Sequence, residues 1–139
     1  MKTQPTKTVF IVDDSAVVRD RLAQMISSLP GVAIAGQADI AFEAIDGLRR
    51  LRPACAVLDI SMPGGSGMHV LETIKREQPA LEVIMLTNFA QDQYRQKCLQ
   101  LGADYFFDKT TEFEKVLDVL RRPESRKAPA PGTDTSYQP

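Results

Sequence analysis

Three aspartates in this sequence stand directly after short apolar runs. Asp13 and Asp14 follow residues 9–12, and Asp59 follows residues 55–58. Apolar runs of this length and composition predict buried β-strands. If those strands are parallel, their carboxyl ends lie along one edge of a sheet, so the carboxylates meet in a single crevice. Carboxylates that lie close together repel and raise each other's pKa unless a cation offsets them. The spacing therefore predicts a cation site.

Further polar side chains follow two other apolar runs. Thr87 stands after residues 82–86, and Lys109 stands shortly after residues 105–107. A hydroxyl and an ammonium group are both suited to contacting phosphoryl oxygens. Oxygen-only ligands suit Mg²⁺, or Mn²⁺ in its place, and Mg²⁺ usually takes few carboxylates, several waters and a phosphoryl oxygen. A carboxylate in that setting can itself be the nucleophile and form an aspartyl phosphate, so the pattern predicts phosphoryl chemistry.

The elements that must position these residues alternate along the chain. Short apolar runs predict five strands, at residues 8–12, 32–36, 55–58, 82–86 and 105–107. Apolar residues at helical spacing predict five amphipathic helices, marked by Val18, Leu22, Met25, Ile26 and Leu29; Ala41, Ala44, Ile45, Leu48 and Leu51; Val70, Leu71 and Ile74; Tyr94, Cys98 and Leu101; and Phe113, Val116, Leu117 and Leu120. Crossovers of this length favour parallel pairing. The sequence therefore predicts an α/β fold, a doubly wound three-layer sandwich.

Composition and charge limit the classes of function. The chain has 139 residues, 43% of them hydrophobic, which fits one domain with an ordinary core. We assign residues 1–7 to an N-terminal extension, 8–122 to the domain and the proline-rich residues 123–139 to a disordered tail. A net charge of −1 argues against broad binding to nucleic acid or membrane. We find no signal peptide or bilayer-length apolar segment in the sequence and predict a cytoplasmic protein.

Other residues with reactive or flexible groups are interpreted as structural. Cys55 falls in a predicted strand and Cys98 in a predicted helix, without C-x-x-C spacing, so both should be reduced, buried thiols. His69, the sole histidine, has no partner for a catalytic dyad and is expected on a helix surface. The glycine-rich residues 64–67 lack the spacing of a phosphate-binding loop and predict a flexible loop that ends at a helix start.

Several of the site residues also have simpler interpretations. Asp14 and Ser15 could cap the first predicted helix, and Thr87 with Asn88 could cap the fourth. Lys109 could be a solvated surface lysine. Independent caps need not fall on one edge of a sheet, so the shared site is the favoured interpretation.

Four motifs, each at the end of a predicted strand, carry a family resemblance. They are Val-Asp-Asp-Ser, Leu-Asp-Ile-Ser-Met-Pro-Gly-Gly-Ser-Gly, Leu-Thr-Asn, and Gly-Ala-Asp-Tyr-Phe-Phe-Asp-Lys. In this order they resemble a response regulator receiver domain of the single-domain, chemotaxis-regulator-like type, from residue 8 to about residue 121. The resemblance implies the flavodoxin-like fold, with a parallel five-stranded sheet of order 2-1-3-4-5.

The resemblance also gives a role to individual residues of the site. It implies that Asp59 is the phosphoacceptor and also a metal ligand, and that the other Mg²⁺ ligands are Asp13, Asp14 and the backbone carbonyl of Ser61. It implies that Lys109 contacts the phosphoryl group. Thr87 would be the switch hydroxyl and Phe106 the aromatic side chain that rotates. It implies a sensor histidine kinase or phosphotransfer protein as the donor. It further implies a downstream protein bound through helix four, the fifth predicted strand and helix five, and a monomer or weak phosphorylation-dependent dimer. No enzymatic activity is implied beyond the domain's own phosphorylation and dephosphorylation.

This sequence departs from the family pattern at some positions. Thr110 follows Lys109, where the family commonly has proline, so the loop there should be held differently. Phe106 lacks the hydroxyl of a tyrosine, which leaves a steric switch. Phe89 and Ser61 should flank the path of a hydrolytic water, and a bulky Phe89 should slow dephosphorylation.

Other classes of function fit less well. A Mg²⁺-dependent phosphohydrolase of the haloacid-dehalogenase type places a second acid two residues beyond its nucleophile, where this sequence offers Ser15 and Ala16. An interaction module independent of phosphorylation would not need the full set of polar residues. We expect no output domain in residues 123–139, so direct DNA binding is expected only if the chain is a fragment of a longer regulator.

Overall fold

The computed structural model describes residues 7–62 and 65–122. Its elements are, in chain order, β1 (Lys7–Val12), α1 (Ala16–Ser27), β2 (Val32–Ala38), α2 (Ala41–Leu51), β3 (Cys55–Leu58), β4 (Ser61–Met62), β5 (Gly65–Ser66), α3 (Gly67–Glu77), β6 (Glu82–Thr87), α4 (Asp92–Gln100), β7 (Tyr105–Asp108) and α5 (Lys115–Leu120). The predicted tail and all of the predicted N-terminal extension except Lys7 lie outside the described residues.

The main sheet has the predicted topology. Its five strands are all parallel and stand in the order β2-β1-β3-β6-β7. Since β4 and β5 form a separate small antiparallel hairpin, this is the order 2-1-3-4-5 of the predicted strands. The hairpin itself was not predicted, because its strands are too short to carry a hydrophobic pattern.

Two hydrophobic clusters flank the sheet, which makes the fold a three-layer sandwich. Along β1, Phe10 and Val12 pack on the side of α2, α3 and α4, whereas Val9 and Ile11 pack on the side of α1 and α5. This alternation follows from the two-residue repeat of a strand. A strand that is buried on both faces must be apolar throughout, which explains the continuous apolar runs in the sequence.

The residues of the predicted apolar stripes are buried or partly buried, with one clear error, although Leu29, Leu101 and Phe113 lie just outside the ends of α1, α4 and α5. Leu51 was assigned to the buried face of α2, but it is 41% exposed. It lies against Gly36 of β2, and β2 is an edge strand, so no further strand covers it. Val119 of α5 is buried although the predicted stripe omitted it. Cys55 and Cys98 are both buried, as predicted, and they form no disulfide with each other.

Candidate functional site

The carboxylates of Asp13, Asp14 and Asp59 lie together at the carboxyl ends of β1 and β3. Each offers one oxygen, and these oxygens all lie within 4.8 Å of one another. A backbone hydrogen bond joins the ends of β1 and β3 directly, since the Asp59 amide donates to the carbonyl of Val12 at 3.0 Å. Asp13 and Asp59 are buried, whereas Asp14 is exposed. This cluster of hard oxygen donors fits Mg²⁺, which prefers carboxylate and water ligands.

The ammonium group of Lys109 lies between the two buried carboxylates. Its Nζ is 2.8 Å from Oδ2 of Asp13 and 3.2 Å from Oδ2 of Asp59. Lys109 follows β7, so its side chain crosses the end of β6 to reach them. The interpretation of Lys109 as a solvated surface residue is therefore wrong, because only 11% of its side chain is exposed.

Burial and charge shift the pKa values in this group. Burial raises the pKa of the Asp13 carboxyl, although hydrogen bonds from Lys109 and the Ser15 amide oppose that rise. Burial alone would lower the pKa of Lys109, but its hydrogen bonds and Coulombic attraction to Asp13 and Asp59 outweigh burial and raise it. Lys109 thus remains protonated and offsets the repulsion between the acids.

The loop between β1 and α1 is held by side chains on both sides of Asp13. The Ser15 amide donates to Asp13 Oδ1 at 2.9 Å, and the Ser15 hydroxyl accepts from Val18 at the start of α1. Arg19 donates to the backbone carbonyl of Asp13 at 2.8 Å. Ser15 is therefore the N-cap of α1, while Asp14 is left exposed toward the site. The capping interpretation of this segment is confirmed for Ser15, while Asp14 lies in the acidic cluster.

Thr87 and Phe106 occupy neighbouring strands beside the cluster. Thr87 is the last residue of β6, is fully buried, and its hydroxyl accepts from the Phe89 amide at 3.0 Å. The N-cap of α4 is Gln91, so the interpretation of Thr87 as a helix cap is wrong. Phe106 is buried, with the Arg95 guanidinium 4.9 Å from its ring centroid.

Gly67 is a site residue that sequence reasoning missed. A Cβ built on this glycine would lie 1.7 Å from the carbonyl oxygen of Asp59, so the start of α3 packs directly on the backbone of that residue. The Gly67 amide also donates to the carbonyl of Ile60 at 2.5 Å. The helix start predicted at the end of residues 64–67 is confirmed, with Ser66 as the N-cap of α3, whereas residue 64 of the predicted loop lies outside the described residues. A glycine at a predicted helix start was the one feature of the sequence that could have indicated this close backbone contact.

Three other residues discussed from the sequence, Ser61, Phe89 and His69, have exposed side chains. Ser61 is exposed and pairs with Ser66 in the β4–β5 hairpin. Phe89 is partly exposed, and its ring meets Tyr94 edge-on with the centroids 6.0 Å apart. His69 is exposed on α3, as predicted.

Comparison with known proteins gives the family. The sequence matches the response regulator receiver domain over residues 9–121. The chain belongs to this family. As a receiver domain of two-component response regulators, it carries its acidic cluster where magnesium binding and phosphorylation are expected in such domains.

Individual relatives agree with this assignment. Response regulator GacA of Pseudomonas aeruginosa is 28% identical over 114 residues, which are 82% of this chain and 53% of that protein. A protein-glutamate methylesterase/protein-glutamine glutaminase of Treponema pallidum is 39% identical over 111 residues, 78% of this chain and 28% of that protein. The crystal structure of the response regulator domain of Thermotoga maritima CheB has a TM-score of 0.79 at 25% identity, covering 88% of this chain and 99% of that domain.

The receiver domain spans only part of such relatives. This chain covers about half the length of GacA and a smaller share of the methylesterase. Among the helices in the described part of the chain, none has the length and apolar character needed to cross a membrane.

Proposed function

We propose that this receiver domain accepts a phosphoryl group on Asp59, in a Mg²⁺-dependent reaction, from a sensor histidine kinase or phosphotransfer protein. One observation carries the proposal: the buried Asp59 carboxylate shares a cluster with Asp13, Asp14 and the ammonium group of Lys109. A nucleophile, oxygen ligands for a divalent cation and a protonated lysine are the groups that phosphoryl transfer to a carboxylate requires.

The chemistry follows from these groups. An oxygen of Asp59 forms a bond to phosphorus while the bond between phosphorus and the donor's leaving atom breaks, and the electron pair leaves with the donor. Lys109 already contacts Asp59 before the reaction, so its charge is next to the arriving phosphoryl oxygens. Magnesium held by Asp13, Asp14, Asp59 and the carbonyl of Ser61 would neutralise charge on those oxygens.

The switch would act through Thr87 and Phe106. The hydroxyl oxygen of Thr87 accepts from the Phe89 amide, so the same hydroxyl can still donate its own hydrogen to a phosphoryl oxygen. Movement of Thr87 toward that oxygen would open space for Phe106 to turn. Because Phe106 has no hydroxyl, the change would be steric, and it would alter the face made by α4, β7 and α5 that binds a downstream protein.

Two exposed apolar side chains, one at the start of α1 and one at the start of α2, support a protein as the phosphodonor. Val17 lies in the first turn of α1 and Phe42 in the first turn of α2, and their side chains are 76% and 79% exposed. Both helices begin at the sheet edge that carries the acids. A protein donor that reaches Asp59 would cover such side chains, whereas a small phosphodonor would leave them in water.

The experiment that tests the proposal is intact-protein mass spectrometry after incubation with acetyl phosphate and Mg²⁺. We expect a single phosphoryl adduct on the wild type, none on Asp59→Asn and none when the metal is chelated. Absence of an adduct in every sample, with acetyl phosphate unconsumed, would favour a phosphorylation-independent interaction module. Sustained hydrolysis of a small phosphoester would instead favour a phosphohydrolase.

A further inference from the structure

The loop after Lys109 is closed by hydrogen bonds between Asp108 and Glu112. The Asp108 amide donates to Oε1 of Glu112 at 2.9 Å, and the Glu112 amide donates to the Asp108 carbonyl at 2.8 Å. Inside this turn, the Thr110 amide donates to Oδ1 of Asp108 at 2.7 Å. These reciprocal bonds resemble a capping box, in which side chains satisfy amides that no helix partner reaches. They hold a loop that has no proline after its lysine.

Lys109 is enclosed by this turn, and its main chain is fixed on both sides. Its own amide donates to the carbonyl of Thr87 at 2.8 Å, while Asp108 before it is bound by Glu112. The direction in which the Lys109 side chain leaves the main chain is therefore set. A lysine side chain is flexible. Its ammonium group therefore stays between two carboxylates only if the main chain from which the side chain extends is fixed.

We propose that Glu112 is a positioning residue for Lys109, and that its Oε1, by accepting the Asp108 amide, holds the turn that fixes the main chain of Lys109. The side-chain contacts described for Glu112 go to the Asp108 amide and to Lys115, so its effect on Lys109 passes through the turn. The inference rests on the proposed function, since Lys109 is the group that would contact the phosphoryl oxygens.

The two oxygens of Glu112 have separable roles. Oε2 pairs with Lys115 at 2.9 Å, and 55% of the Lys115 side chain is exposed. Such an exposed pair is screened by water and contributes little. The bond from the Asp108 amide is the largest cause of the lowered pKa of Glu112, with the Lys115 hydrogen bond second. The contact that fixes the main chain next to Lys109 is therefore the hydrogen bond that Oε1 accepts from the Asp108 amide.

Two substitutions at Glu112 separate the effect of side-chain length from the effect of charge. Glu112→Gln keeps an oxygen at the same distance from the backbone and removes the charge, whereas Glu112→Asp keeps the charge on a shorter side chain. Glu114→Ala, at an exposed neighbouring acid, is the matched control. Lys115→Met tests the Oε2 pair alone. All variants are made in the full chain, and thermal unfolding is recorded for each.

The first readout is the rate of phosphorylation by acetyl phosphate with Mg²⁺. We expect Glu112→Asp to slow it by about tenfold, a loss typical of a displaced catalytic group, and Glu112→Gln, Glu114→Ala and Lys115→Met to stay within about twofold of wild type. A wild-type rate in Glu112→Asp, or an equal loss in Glu112→Gln, would overturn the proposal.

The second readout does not depend on phosphorylation. The ¹⁵N-detected ammonium signal of Lys109 should be protected from exchange in the wild type and in Glu112→Gln, and lost or broadened in Glu112→Asp. An unchanged signal in Glu112→Asp would overturn the positioning role even if the rate fell. If wild type accepts no phosphoryl group at all, the proposed function fails, and this signal still decides whether Glu112 positions Lys109.

Discussion

Helices α3 and α4 pack on the same face of the sheet but are anchored very differently. Helix α3 buries Gly67, Val70, Leu71 and Ile74, and its first residue lies on the backbone of Asp59. Within α4 only Cys98 is fully buried. Segments with few buried apolar contacts open at low free-energy cost. We therefore expect the side of the domain that carries Asp59 to open at a higher free-energy cost than the side that carries α4.

The largest effect is expected from adding one methyl group at the start of α3. In Gly67→Ala the new Cβ would overlap the Asp59 carbonyl, so α3 or the acceptor loop must shift. We expect a loss of about 3 kcal/mol in the free energy of unfolding, at the upper end for overpacking, and loss of phosphorylation. Urea denaturation measures the first, with His69→Ala on the exposed face of α3 as control. Wild-type stability in Gly67→Ala would mean that α3 is not anchored on Asp59.

Truncation of buried side chains compares the two helices directly. Leu71→Ala in α3 should cost about 3 kcal/mol of unfolding free energy, because a buried leucine leaves a cavity. Cys98→Ala in α4 should cost about 1 kcal/mol, because a smaller side chain is removed from a segment with fewer buried neighbours. Urea denaturation monitored by circular dichroism would measure both losses of unfolding free energy. Equal losses would contradict the difference in anchoring.

Alkylation of the two buried cysteines can measure how often the segments around them open locally. Burial raises the pKa of the Cys98 thiol to about 11, so the closed protein presents almost no thiolate at that residue near neutral pH. Alkylation must then occur from opened states. We expect iodoacetamide to modify Cys98 at least about tenfold faster than Cys55, which lies in the central strand β3. Peptide mass mapping over time gives both rates, and equal rates would indicate that α4 opens only with the whole domain.

The smallest effect is expected in the loop before α4. Phe89→Ala should speed hydrolysis of the aspartyl phosphate by about threefold, because removing the ring opens the path of the attacking water. The decay of the phosphorylated mass after removal of acetyl phosphate measures the rate. Tyr94→Leu, which removes the aromatic neighbour but not Phe89 itself, is the control. Hydrolysis no faster in Phe89→Ala would assign no gating role to this side chain.

Much of the site was predictable because it depends on strand ends. An apolar run followed by a polar residue determines where a buried strand stops, and parallel strands stop at one edge. That rule is enough to bring Asp13, Asp14 and Asp59 together and to direct Lys109 toward them, as the structure shows. The strand order came from the family resemblance, since hydrophobic pattern alone does not order strands.

The remaining features depend on contacts between residues that are distant in the chain. Lys109 and Asp59 are 50 positions apart, so their pairing distance follows from the packing of the sheet. The exposure of Leu51 follows from its place over an edge strand, and the need for glycine at position 67 follows from the approach of α3 to Asp59. Apolar runs and the polar residues that end them are local features, so the chain alone could indicate Asp13, Asp14, Asp59 and Lys109 as members of one cluster. How these side chains are held depends on close packing, which is set by the neighbours that folding brings together.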